Sequence, residues 1–406
     1  MRTVIRNARI FDGAGRALAD GAVLIDGDGI AKVGLGPDAL ADVDADTVID
    51  AAGRTLMPGM VEAHAHLTWG SSVEKIYHQF VLPPEELKVA AWRNARVLLD
   101  HGFTSAYSAG ALADGVEVEL ARAIEAGETP GPRLVPSTLE RSPEGAEGVE
   151  TGDVFNGRGP DAIRRFVAYC KDEGIGSIKL VVSGEDALKP GTAKDMLYTA
   201  EEMEAAGAAA SDAGLWIAAH AYYPEAIDLA LKAGARIIYH ASYADEAAAD
   251  AMVAAKDTTF YAPSPGVSIA ALEATPPPHI DMSAAKASAA ERMELERKLV
   301  PALKARGVKI LIGGDYGFPF NPNGRNARDL QIFVDHFGYT PTEALVAATR
   351  LGGELMGLPV GEVKEGYLAD LLLVDGDPTE DVAILQDKAR LAMIMKGGVL
   401  HKAPAA

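Results

Sequence analysis

Between about residues 57 and 357, short apolar runs alternate with Ala- and Glu-rich stretches of helical character. The runs are "LMPGMVEAHAH", "FTSAYSAG", "PRLVPSTL", "SIKLVVSG", "WIAAHAY", "RIIYHAS", "TFYAPSP" and "KILIGGD". Helical stretches are predicted at 84–101, 161–173, 199–213, 224–233 and 285–306. A strand that follows its neighbour in the same direction needs a long crossover, so this alternation implies a parallel sheet. Eight such units predict a closed (β/α)8 barrel of the TIM type. Both ends of the chain read differently. "TVIRNARIFDGAG" is a strand running into an Asp-Gly turn, "GAVLIDGDGIAKVG" is a hairpin with Asp-Gly at its tip, and "LADLLLVDGDP" and "LAMIMKGGVLH" repeat the pattern near the C-terminus. The expected architecture is an α/β barrel domain over 57–357, inserted into a composite β-sandwich domain made of 1–56 and 358–406.

Composition narrows the partners. The net charge is −20, and phosphate-rich surfaces demand clustered Lys and Arg, so neither nucleic acid nor an anionic membrane is expected. Cys170 is the only cysteine, which rules out an internal disulfide and a zinc finger. No apolar run reaches about 18 residues, and the N-terminus alternates like a strand without the apolar core of a signal peptide. A cytoplasmic protein acting on a small molecule is the expectation.

The chemistry is concentrated at the strand ends. Residues i and i+2 of a strand project to one side, so His64 and His66 in "HAH" point together into the barrel mouth. His220 ends the fifth predicted strand, His240 the sixth and Asp315 the eighth. Four of only nine histidines thus fall at C-terminal strand ends, where barrel enzymes carry out catalysis. Imidazole and carboxylate ligands of this kind suit a divalent metal, zinc in particular. Lys179 ends the fourth predicted strand, and a lysine buried there must be paired or neutralised.

HxH on the first strand, Lys on the fourth, His on the fifth and sixth and Asp on the eighth together resemble the amidohydrolase superfamily, and the likeness spans the whole chain. It implies a lysine made into a carbamate by carbon dioxide and bridging two divalent metals, most often Zn2+. His64, His66, Lys179 and Asp315 would hold one ion, and Lys179, His220 and His240 the other. Asp315 would carry the proton from the attacking water to the leaving amine. The stretch "TPTEALVAATRLGGELMGLP" with "GEVKEGYLADLLLVDGDP" is similar to the prolidase-like and imidazolonepropionase-related branch. In prolidase-like relatives the tyrosine of "HAY", here Tyr222, hydrogen-bonds the substrate carbonyl.

The chain departs from the dipeptidase pattern after the third strand, where "STLERSPEGAEGVETG" holds no histidine. Its "YHAS" and "GGD" replace Glu-His-Gly and Gly-Thr-Asp. "HGFTSAYSAG", "IKLVVSG" and "GGDYGFPFNPNGRNARDL" look more like the subgroup that contains molinate hydrolase and the phenylurea hydrolases. The expected reaction is hydrolysis of an amide, carbamate or urea. The alternatives are a dipeptidase of the Xaa-Pro or Xaa-Arg kind, a mononuclear deaminase or imidazolonepropionase-like enzyme, and a non-catalytic assembly protein. Aromatic residues on the rim segments (Trp69, Tyr77, His78 and Phe80; Tyr316, Phe318 and Phe320) point to an apolar or aromatic substrate. Arg325 belongs to the same segment as the last three, and His279 to a Pro-rich segment after the seventh strand. The resemblance also implies a homo-oligomer.

Overall fold

A computed structural model describes residues 1–71, 83–141, 157–185 and 191–404. The chain opens with β1 (Arg2–Ile10), β2 (Ala19–Asp26), β3 (Gly29–Leu35), β4 (Thr47–Asp50) and β5 (Thr55–Pro58). Strand–helix alternation follows, with β6 (Met60–Ala65), α1 (Pro84–Asp100), β7 (Phe103–Ser108), α2 (Val116–Glu125), β8 (Arg133–Val135), α3 (Pro160–Glu173) and β9 (Ser177–Val181). It continues through α4 (Ala200–Ala213), β10 (Trp216–Ala221), α5 (Pro224–Lys232), β11 (Ile237–His240), α6 (Glu246–Ala254) and β12 (Phe260–Ala262). After these come α7 (Pro265–Glu273), α8 (Ser283–Ala305), β13 (Lys309–Ile310), α9 (Arg328–Phe337), α10 (Pro341–Ala348) and α11 (Arg350–Met356). The chain closes with β14 (Leu371–Val374), β15 (Leu391–Lys396) and β16 (Val399–Lys402).

The local signals are those the physical chemistry demands. Proline stands in the first turn of α1, α3 and α5, where its missing N–H costs nothing. Thr199 and Glu202 form a reciprocal capping box at the start of α4, and Gly214 takes the left-handed conformation that ends it.

The eight expected barrel strands are β6 to β13, all parallel where they pair. They fall into a three-stranded sheet, β6–β7–β8, and a five-stranded one, β9 to β13. Only isolated bridges link the two among the described residues. Ser137 and Arg141 pair with Ser177 and Leu180 on one side, and Ala65 pairs with Tyr316 on the other. The ladder of the expected closed barrel is therefore not continuous. The strands in the gaps are short: β13 has two residues and β8 has three. The termini do join, but the hydrogen bonds form one eight-stranded sheet rather than two facing ones, because β1 is paired with β2, β4 and β5 at once. That sheet encloses its own apolar cluster, built on Ile5, Val23, Ile25, Leu56, Leu371 and Met393. A second buried cluster, with Val61, Ala63, Tyr107, Ala218, Tyr239 and Leu311, draws on β6, β7, β10, β11 and the segment after β13 and supports the mouth residues. Among the described residues no helix is long and apolar enough to cross a membrane.

The segment after β12 was expected as a long Pro-rich loop. Its first half is instead α7, begun by Pro265 at the first helical position. The closing helix is also divided. Thr349, with φ −121° and ψ −86°, separates α10 from α11.

Candidate metal and catalytic site

His64 and His66 do face one place, by a route more elaborate than strand parity. The β6–β7 register shifts between Glu62 and Ala65, as happens where an extra residue re-aims a side chain. Glu62, fully buried, accepts the His64 backbone N–H at 2.9 Å and the Asn326 side-chain amide at 2.7 Å. Each imidazole is held by its Nδ1. His66 Nδ1 donates to Gly110 O at 3.0 Å. His64 Nδ1 lies 2.7 Å from Ser264 Oγ, whose own proton is directed at Ala262 O, so the ring donates there too. With Nδ1 so engaged, both Nε2 atoms turn to Asp315. Asp315 Oδ1 is 3.0 Å from His66 Nε2 and 3.5 Å from His64 Nε2. Neither contact has hydrogen-bond geometry, so this oxygen is buried without a donor. His64, His66 and Asp315 form one compact group of candidate metal ligands, all three buried.

Asp315 lies beyond β13, which ends at Ile310, and the intervening glycines let the chain pass close to β6. A Cβ on Gly313 would stand 2.9 Å from His64 Cβ. Asp315, His240 and Ser264 have φ of 61°, 73° and 63°, a region non-glycine residues avoid. Such strain gathers where the surroundings fix a side chain for function.

The other expected residues surround this group. His240 is 5.4 Å from His64 and 4.5 Å from His220, ring centre to ring centre. Lys179 lies inside β9 rather than at its end, opposite Ala218 of β10. Its amine donates to Ala109 O at 2.6 Å, lies 4.6 Å above the Tyr239 ring and is 3.5 Å from Glu140 Oε1. As an amine it thus has the carboxylate partner that a buried lysine requires. Tyr222 stacks on His240 at 4.7 Å and donates its phenol proton to Glu185 Oε2 at 2.8 Å.

Burial, then the charge of Lys179, holds His64 well below the ordinary imidazole range. His240 is lowered well below it by burial and by His220, and burial brings His220 to about 4. Neutral rings keep lone pairs for a metal. His66 goes the other way. Burial alone would lower it, but Glu140 and then Asp315 raise it. Two carboxylates thus create a negative potential at the point where His66 Nε2 is aimed.

The rim is only partly as expected. Trp69 and Phe318 pack together at 4.2 Å and flank His66 at 5.0 and 5.8 Å. Tyr316 is no rim residue, being fully buried with its hydroxyl donating to Asp329. Arg325 and His279 are exposed, and Tyr77, His78 and Phe80 lie outside the described residues. His101 caps α1, with Nδ1 donating to Val97 O. Sequence reasoning missed Glu140, Glu185 and Arg292. Glu140 could have been found as a charged residue just past an apolar strand run.

The amidohydrolase family model matches residues 55–400. An ochratoxinase of Aspergillus niger is 27% identical over 99% of this chain and 87% of its own length. An imidazolonepropionase of Rubrobacter xylanophilus is 24% identical over 93% of this chain and 90% of its own. Among solved structures, a prolidase complexed with N-methylphosphonate-L-proline has a TM-score of 0.85 at 27% identity, covering 99% of this chain and all of that one. Phenylurea hydrolase B and molinate hydrolase share the fold, with TM-scores of 0.79 and 0.78 at 20% and 17% identity, over 98% of this chain in both cases and 96% and 94% of theirs.

Proposed function

The chain belongs to the amidohydrolase family and is a hydrolase of C–N bonds, and we propose that it cleaves an amide-type bond of a small molecule with two divalent metal ions per chain. The observation that carries this is Asp315 Oδ1, buried without a hydrogen-bond donor, with His66 Nε2 3.0 Å and His64 Nε2 3.5 Å from it. A carboxylate oxygen with two imidazole nitrogens is a donor set that fits zinc. His64, His66 and Asp315 would hold one ion. His220 and His240 would hold the second, with Lys179 between as a carbamate. As an ammonium, Lys179 depresses His64, His220 and His240. Addition of carbon dioxide to the neutral amine, with loss of one proton, would replace that positive charge by an anion.

Such ions supply a water of lowered pKa and polarise the scissile carbonyl. This chain's residues do the rest. Asp315 takes the proton of the attacking water and delivers it to the leaving nitrogen. Tyr222, whose phenol is held protonated by burial and by Glu185, would become the donor for charge developing on the carbonyl oxygen by turning its one proton there from Glu185 Oε2. Trp69 and Phe318 form an apolar wall beside His66 that would exclude water from the reacting face.

The test combines elemental analysis with turnover. Zinc-loaded protein is expected to hold close to two ions per chain and to release amine from at least one class among aryl amides, N-acyl amino acids, dipeptides, carbamates and phenylureas. Protein that holds two ions and cleaves none of these classes would end this reading. A content of one ion would reduce it to a mononuclear site on His64, His66 and Asp315.

A further inference from the structure

The seam between β13 and β6 is where the backbone ladder of the barrel strands fails, and it is also where Asp315 must be held. β13 ends at Ile310, and beyond it the one bridge to β6 among the described residues joins Ala65 and Tyr316. Asp315 stands in that stretch with φ at 61°, a conformation that a residue with a side chain seldom adopts unless its surroundings impose it. Two side chains supply what the ladder does not. Asp329, in the first turn of α9 and fully buried, accepts the Gly313 N–H at Oδ2, 3.0 Å away, and the Tyr316 hydroxyl proton at Oδ1, 2.8 Å away. Asn321 holds the opposite polarity, its Nδ2 donating to the carbonyls of Gly314 and Asp315, each at 2.9 Å. The backbone closes tightly on the Asp329 carboxylate. A Cβ on Gly314 would collide with Oδ1, and one on Gly266 would stand 2.9 Å from it.

Burying a carboxylate is costly unless its oxygens are satisfied, and here both are spent on the turn that carries one candidate metal ligand. Gly313 and Tyr316 lie on either side of Asp315 in the chain, so a shift of the Asp329 carboxylate moves the whole turn and Asp315 Oδ1 with it. That oxygen has little latitude, because metal–ligand distances hold to within about 0.2 Å. We infer that Asp329 is a positioning residue, which through Gly313 and Tyr316 aims the Asp315 carboxylate at the ion that His64 and His66 would share. This rests on the metal-dependent reading above and assigns a further role in the same site. Asp329 touches neither the ion nor the substrate, and it acts through Asp315.

The experiment is a double-mutant cycle read in metal binding, on the full chain reconstituted with zinc or with cobalt(II) in its place. Asp329→Asn leaves one oxygen for the two donors, since its amide nitrogen cannot accept. It should weaken zinc binding by about 10- to 100-fold, the usual cost of removing an outer partner of a ligand, and alter the visible absorption of the cobalt(II) protein. On the best substrate found, kcat should fall with KM unchanged. Tyr316→Phe removes one of the two donors and should give the same effects at smaller size; it carries the test if Asp329→Asn does not fold. In an Asp315→Asn background either change should cost no further zinc affinity, because it acts through the residue already replaced. Val167→Ala, a truncation in the buried face of α3, lowers stability by another route and should keep the zinc affinity and cobalt absorption of wild type. Wild-type zinc affinity and cobalt absorption in folded Asp329→Asn, or in Tyr316→Phe where only that variant folds, would overturn the proposal. So would an equal loss in the Asp315→Asn background or from Val167→Ala, either of which marks a general effect of stability. Zinc binding that depends on Asp329 in a protein holding a single ion would keep the positioning role and overturn the two-ion reading. A wild type that binds no zinc would overturn both.

Discussion

Replacing Asp315 by Asn changes one oxygen into an amide of the same size, so it separates proton transfer from packing. Asp315 is 6% exposed, and its Oδ1 lies 3.0 Å and 3.5 Å from the two imidazole nitrogens. The variant can keep an oxygen at that place and remain a weak ligand, but it cannot accept a proton. If Asp315 carries the proton from water to the leaving nitrogen, kcat/KM at saturating zinc should fall by about 100- to 10,000-fold, the usual span of general acid–base catalysis. That corresponds to about 2.7–5.4 kcal/mol of transition-state stabilisation. The assay is amine release on the best substrate found, with metal per chain measured on the same sample. Zinc must be varied as well, because a neutral amide binds the ion less tightly than a carboxylate. A loss that excess zinc repairs to within tenfold of wild type would make Asp315 a ligand only. A loss below about tenfold at unchanged metal content would remove it from the reaction.

Lys179→Ala should lower metal content and activity together, and added short carboxylic acids should restore part of both. Full metal and full rate in that variant would refute the carbamate. Tyr222→Phe keeps the ring stacked on His240 but removes the hydroxyl; kcat/KM should fall by about 100- to 1,000-fold, the usual worth of an oxyanion donor, and a value within threefold of wild type would leave the phenol as packing. Burial raises Glu117 from its ordinary 4.5 to about 7. Its stabilising contribution is therefore complete below the unfolded value and disappears as pH rises through about 7, on the order of 3 kcal/mol. The melting temperature of Glu117→Gln should accordingly change less between pH 5 and pH 8 than that of wild type. An identical pH profile for the two proteins would contradict the buried, protonated state.

The barrel-type alternation was legible because two independent periodicities agreed. The predicted helices at 84–101 and 224–233 differ from α1 and α5 by one residue at the C-terminal end. Proline at their first turns fixed the starts, and apolar spacing fixed their faces. The α7 helix was hidden, since "PGVSIAALEATPPPHIDM" begins with proline and runs into three more, and the apolar residues of the helix lie on all sides rather than on one stripe. The arrangement of the terminal strands was beyond reach for another reason. Whether β1 joins one sheet or two depends on which strands pair with both of its edges, and neither β2 nor β5 announces its partner in its own sequence.

The site divides in the same way. The grouping of His64, His66, His220 and His240 in one place was legible because histidine is scarce in this chain and because strand ends have a fixed meaning in a barrel. What parity could not supply is the register shift beside Glu62, which decides how the imidazoles sit over the mouth. Glu185 and Arg292 were not legible, and Glu140 only as a charged residue just past an apolar strand run. Charged residues are common on helices and loops, and only three-dimensional placement distinguishes an exposed arginine from one that is buried and held beside the Tyr222 ring. Side chains that are to hold one metal must converge on a point, so candidates for that role leave a repeated mark at several strand ends. A substrate-binding residue needs only to face a cavity from whichever helix passes it. Substrate-binding positions therefore have no motif to betray them, and the substrate must be read from geometry.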